Sequence, residues 1–105
     1  MSVSFKYRDG CLTSVICGDI DHHRAAGIRE SIDSQMSKYM PSELILDFHD
    51  VTFMDSSGVG LVMGRYKNAS VFGCGVKLVN MSQKVRRIMK MSGLEKIVEF
   101  EKEGE

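Results

Sequence analysis

Residues 53–60 read Phe-Met-Asp-Ser-Ser-Gly-Val-Gly. An acid, two adjacent hydroxyls and two glycines stand between an apolar run and a helical pattern. Three chemistries fit such a cluster: a catalytic nucleophile, a phosphate acceptor, or a helix cap. Serine catalysis needs a positioned base and an oxyanion hole. The G-x-S-x-G elbow is absent, and the histidines, His22, His23 and His49, are not set by sequence as a base for either serine. No catalytic residue is therefore expected. Capping is an ordinary task for serine, and one of the pair can do only that. A phosphate is the third reading. It would stand at a helix N-terminus, where orphan amides and the helix dipole favour an anion. The neighbouring glycines let another protein's active site approach the backbone. About two added negative charges, deepened by Asp55, would then change the surface without unfolding the domain, as a binding switch requires.

A second cluster is Gly18-Asp19-Ile20-Asp21-His22-His23. Asp21 suits a helix cap, and equally a charge partner for a basic residue on another protein. Adjacent histidines do not share a helix face, so the i, i+4 zinc arrangement is missing. Cys11, Cys17 and Cys74 are an odd count without C-x-x-C spacing, which points to free thiols rather than a zinc site or disulfide framework. Neither a metal nor a cofactor is expected. Gly60 and Gly64, four residues apart, read as close packing of a helix on a sheet. There is no G-x-G-x-x-G or Walker sequence to hold a nucleotide. Of the eight methionines, most read as core filler, with Met54, Met89 and Met91 as candidates for an adaptable surface.

The elements that must position these clusters follow from periodicity. Val3, Phe5 and Tyr7 alternate with polar residues, a half-buried strand. Asp9-Gly10 is a hairpin turn, and residues 12–17 return as a second strand that Gly18 stops. Ala25, Ile28, Ile32, Met36 and Tyr39 mark a helix face behind Asp21, and Pro41 closes the region. Residues 44–48 are apolar without alternation, an interior strand covered on both faces. His49 and Asp50 interrupt it before the apolar residues 51–54. Val59, Val62, Met63, Tyr66 and Ala69 mark a second helix, and residues 76–79 a further strand. Val85, Ile88 and Met89 form a third helix, capped by Ser82 and ended at Ser92-Gly93. Ile97, Val98 and Phe100 make a last strand. The order β-β-α-β-α-β-α-β implies a largely parallel sheet opened by one antiparallel hairpin. Both clusters then fall at the carboxyl ends of strands, where open parallel sheets place their function.

Bulk properties narrow the partners. A chain of 105 residues is one small domain. Lys plus Arg is 14 and Asp plus Glu is 14, so no net charge recommends nucleic acid or an acidic membrane. No apolar segment approaches the roughly 18 residues of a membrane span, and residues 1–10 lack a signal-peptide core. The chain reads as soluble and cytoplasmic. Its charged end, residues 101–105, reads as frayed.

Set in this order, the clusters resemble a known family, the STAS-domain anti-anti-sigma factors of the sporulation type. The matching blocks are Gly18-Asp19-Ile20-Asp21-His22-His23, Phe53-Met54-Asp55-Ser56-Ser57-Gly58-Val59-Gly60, Gly64-Arg65-Tyr66-Lys67 and Met91-Ser92-Gly93-Leu94. The likeness runs over residues 12–100. It implies an α/β STAS-like single domain over residues 1–105. The serine after the aspartate, Ser56, would accept phosphate from an anti-sigma factor that is also a serine kinase, with Ser57 as the helix cap. The contact surface would comprise Asp21, His22, His23, Asp55, Ser57 and Gly58, with Asp21 meeting a basic residue of the kinase. The unphosphorylated form binds the anti-sigma factor and frees a sigma factor; phosphorylation ends the binding. A metal-dependent, PP2C-type serine phosphatase restores it. The resemblance implies no enzyme, no cofactor, no direct nucleic acid or membrane contact, and a monomer when free. An alternative is a STAS regulator of a stress-response or other non-sporulation pathway. Two departures stand out. Asp19-Ile20 replaces the family's usual Glu-Leu, and little chain follows Phe100 where the family generally has a further helix, leaving part of the sheet less covered.

Overall fold

The computed structural model describes residues 3–102. Strands β1 (Val3–Arg8) and β2 (Cys11–Ile20) are followed by helix α1 (His22–Tyr39), strand β3 (Glu43–Met54), helix α2 (Ser57–Val71), strand β4 (Gly75–Val79), helix α3 (Gln83–Met91), a 3-10 turn (Leu94–Lys96) and strand β5 (Glu99–Phe100). The expected order of strands and helices is met. Asp9 and Gly10 both take positive φ, 51° and 81°, as a two-residue hairpin turn demands. The five strands lie in the order β1-β2-β3-β4-β5. β1 runs antiparallel to β2, and the remaining pairs are parallel.

This order has a consequence for the layers. Each right-handed crossover advances one strand in the same direction, so successive helices fall on one face. Burial follows suit. Leu12, Ile16, Leu44, Leu46, Phe48 and Leu78 are fully buried toward the helices, each stabilising by roughly 1.5–3 kcal/mol relative to exposure. Their alternates Cys11, Thr13, Val15, Ile45 and Lys77 are only half-buried. The expectation of a strand at 44–48 covered on both faces is therefore corrected: one face is covered. Ile28, Ile32 and Met36 of α1, Leu61, Val62 and Ala69 of α2, and Val85 and Met89 of α3 complete the core.

Two expected strand breaks are absent. β2 runs on through Gly18, whose φ of +87° serves an irregularity in the β2–β3 pairing between Gly18 and Asp19. β3 continues through His49 and Asp50, because a second irregularity between Val15 and Cys17 lets both polar side chains stay exposed. Asp47 Oδ1 accepts the His49 N–H at 2.9 Å and the Asn80 Nδ2 at 3.1 Å. β4 pairs with β3 only over residues 43–47, whereas β2 pairs with it as far as Met54. β3 thus outruns β4.

The reading of 101–105 as frayed is corrected at its start. The Glu101 N–H donates to Leu78 O at 2.9 Å, and its carboxylate accepts the Asn80 N–H at 3.0 Å. Residues 103–105 lie outside the described residues. The three cysteines are free thiols, and burial pushes the Cys74 thiol up. Met54 and Met89 are buried, whereas Met91 is 82% exposed.

Candidate functional site

The ends of β2 and β3 bring the two clusters together. Asp19 pairs with Phe53 and Ile20 with Met54. Beyond the last rung, the Asp55 N–H donates to Ile20 O at 3.2 Å. The Thr52 hydroxyl donates to Asp19 Oδ1 at 2.7 Å. The loop holding Asp21 and the loop holding the serines are therefore bonded to each other rather than merely neighbours.

Asp21 opens α1 as expected. Its backbone is extended, φ −120° and ψ 179°, and its Oδ1 accepts the Arg24 N–H at 2.9 Å. One carboxylate oxygen is thus engaged in the cap, and the residue remains half-buried. His22 and His23 begin the helix, both exposed, with their rings edge to face and centroids 6.0 Å apart.

The start of α2 differs from the expected arrangement. Ser57 is not the cap; it is the first residue of the helix, and Ser56 holds the cap position. Yet Ser56 makes no capping bond with its side chain. Its φ and ψ of −63° and −15° are already helical, whereas a capping side chain works from extended backbone. Asp55 does the task instead, accepting the Ser57 N–H on Oδ1 at 2.8 Å, a side-chain turn that aspartate forms readily. Two further first-turn amides bond to the main chain: Gly58 N–H to Asp55 O at 3.0 Å and Val59 N–H to Ser56 O at 3.1 Å. The Ser56 side chain is left exposed with no structural duty.

Gly58, expected on the contact surface, has a packing role. It is buried, and a Cβ there would collide with the Met54 side chain. Its part is to let α2 close over Met54. Phe53, in contrast, is 53% exposed beside Asp19; its place in an apolar run gave no sign of this.

Arg65 is the charged residue that the apolar periodicity of α2 passed over. It is 6% exposed, and its Nε lies 2.7 Å from Asp33 Oδ1. Its Nη1 reaches Leu61 O at 3.5 Å. Burial lowers its affinity for the proton most; Asp33 opposes that and Arg29 adds to it. The available sequence signal was position: Arg65 stands four residues from both Leu61 and Ala69, on the inward stripe.

Chemically, this end of the sheet offers a hydroxyl at the start of a helix and a capped aspartate on the adjoining loop. Among the described residues no group of three His, Cys, Asp or Glu is placed to hold a metal ion, and no helix is long and apolar enough to cross a membrane.

Residues 2–104 match the model of one protein family, the STAS domain. The chain belongs to the STAS domain family. This STAS chain is 30% identical over 98 residues to the anti-sigma F factor antagonist of Paenibacillus polymyxa, covering 93% of itself and 84% of that protein. It is 28% identical over 105 residues to the anti-sigma-B factor antagonist of Bacillus subtilis, covering 100% of itself and 94% of that protein. Among solved structures, it superposes on the anti-sigma factor antagonist SpoIIAA in the unphosphorylated form with a TM-score of 0.80 at 29% identity, covering 96% of this chain and 89% of that one. Against SpoIIAA of Bacillus in the phosphorylated form the TM-score is 0.72 at 28% identity, covering 96% and 92%. The expected α/β STAS architecture, with its antiparallel first pair and parallel remainder, is the one observed.

Proposed function

We propose that this STAS domain is an anti-sigma factor antagonist switched by phosphorylation of Ser56. Unphosphorylated, it binds an anti-sigma factor that is also a serine kinase, so that the sigma factor is released. The kinase transfers phosphate to Ser56, and the added charge ends the binding. A PP2C-type, metal-dependent serine phosphatase removes it. The domain is a substrate and a partner rather than a catalyst, works in the cytoplasm and is a monomer when free.

The observation that carries this reading is the idle hydroxyl. Ser56 is exposed at the start of α2, while Asp55 supplies the cap. A phosphate there costs no capping bond. It stands at the positive end of the α2 dipole and adds negative charge next to Asp55 and the Asp21 loop, repelling a partner that had been bound through the same surface. The naming of relatives as antagonists, one solved in a phosphorylated form, supports the same reading.

Incubation of the chain with a candidate anti-sigma kinase and ATP tests it, with the phosphate located by mass spectrometry and binding measured before and after. Phosphate on Ser56 and lost affinity are expected. Phosphate on Ser57 would sink the site assignment; unchanged affinity would sink the switch.

Within this function we favour a sporulation pathway. The Asp21-His22-His23 and Gly64-Arg65-Tyr66-Lys67 blocks support it. The second reading, a general-stress pathway, is supported by the full-length likeness to the anti-sigma-B factor antagonist. Competition between F-type and B-type kinases for one sample of the protein separates them.

A further inference from the structure

A cleft of about 430 Å³ runs between the N-terminal halves of α1 and α2. It opens beside Ser57 and His22, the immediate neighbours of Ser56 and Asp21. Ala25 and Ala26 line it on α1, and Gly60 and Gly64 on α2. The glycines were expected to allow tight packing against the sheet. They do not: a Cβ at either would meet nothing within 4 Å. What the missing side chains provide is room.

The charge of the cleft is one-sided. Arg65 and Arg29 both line it, and Arg29 is near enough to oppose the charge of Arg65. Asp33 Oδ1 lies 2.7 Å from Arg65 Nε as an ion pair and accepts Asn68 Nδ2 at 3.1 Å. Two guanidinium groups thus line the cleft and, among the described residues, no carboxylate does. A carboxylate that enters the cleft can form charge-assisted hydrogen bonds with these guanidinium groups.

We propose that this cleft is a socket for an aspartate or glutamate side chain of the protein that docks on the Asp21–Ser56 surface. The inference rests on the function proposed above and adds to it a second anchoring point. Charge complementarity selects an acidic group, and continuity of the cleft with Ser57 and His22 places it within the same docking footprint. A carboxylate in the cleft meets Arg29 of α1 and Arg65 of α2.

Three proteins titrated against the anti-sigma kinase by calorimetry test the socket: the wild type, Arg29→Glu and Gly60→Leu. The first substitution reverses the charge; the second fills the room on an open helical position where leucine is a better helix former than glycine. The expected result is affinity reduced about 30-fold or more for Arg29→Glu and about tenfold for Gly60→Leu, with the thermal midpoint of Gly60→Leu equal to or above the wild type. Arg29→Lys should recover most of the loss. Affinities within about twofold of wild type for both variants overturn the socket. So does a loss in only one of them, because a socket needs both its charge and its space. Should the wild type neither bind the kinase nor accept phosphate, the function fails and takes the socket with it. If the wild type binds and is phosphorylated while the variants match it, the socket alone fails.

Discussion

Ser56 and Ser82 occupy the same place in successive strand-to-helix units, one before α2 and one before α3. Ser82 is extended, φ −63° and ψ 163°, and its hydroxyl accepts the Val85 N–H at 3.2 Å. Ser56 has almost the same φ but a ψ of −15°, and its hydroxyl caps nothing. The difference lies one residue upstream. Asp55 supplies a carboxylate to the amides of α2, whereas the residue before Ser82 is Met81, which has none to give. Of two serines alike in type and position, one is bound into the fold and the other is released from it. A site for reversible modification has to be of the second kind.

The contrast can be broken most sharply with a charge. Ser56→Asp should weaken binding to the anti-sigma kinase on the order of 100-fold, about 2.7 kcal/mol, while the thermal midpoint stays where it is; calorimetry and thermal denaturation read the two separately. A drop in midpoint of comparable size would mean that Ser56 carries structure after all. Next in size is Gly58→Ala. The added methyl meets the Met54 side chain beneath the first turn of α2, costing about 1–3 kcal/mol of overpacking against a gain of about 1 kcal/mol for replacing a helical glycine. Urea titration should show a net destabilisation, and a neutral result would show that α2 can lift off Met54 freely.

Cap removal comes third. Ser82→Ala and Asp55→Ala should each cost about 1 kcal/mol, lowering the midpoint by roughly 4–8 °C in a domain of this size. If Asp55→Ala is silent, the division of labour between Asp55 and Ser56 is wrong. The smallest effect is expected for Ser56→Ala, within about 0.3 kcal/mol of wild type by the same titration, because the hydroxyl lost there bonds to no helix amide. A cost equal to that of Ser82→Ala would erase the comparison.

Much of the fold was legible because its signals are local. Alternation in β1, the positive-φ pair Asp9-Gly10, and the 3-4 spacing of Ile28, Ile32 and Met36 each belong to one element. So do the caps Asp21 and Ser82. The continuity of β3 was not legible, since His49 and Asp50 look like a break unless the irregular pairing that keeps them exposed is known, and that depends on β2. The site was legible as a cluster and misread in its assignments. Aspartate and serine are all good cap formers, so residue type cannot say which of Asp55, Ser56 and Ser57 holds the helix; the backbone angle at Ser56 decides. Gly60 and Gly64 were misread for a similar reason. A glycine pair signals either a close neighbour or a space, and only the placement of α1 tells the two apart.

The unequal lengths of β3 and β4 bear on how the proposed kinase would reach Ser56. Met54 lies seven residues past Asp47, the last rung shared with β4, or about 23 Å along the strand. Over that length β3 pairs, among the described residues, with β2 alone, so the loop of residues 55–56 follows a stretch of sheet with no strand on its β4 side. Ordering a loose, extended segment on binding costs about 0.5–1.5 kcal/mol per immobilised side chain. Here the segment is already ordered by its own sheet. For the kinase proposed above, engaging this loop would cost little entropy, and a short-lived encounter between two folded proteins would suffice to deliver the hydroxyl.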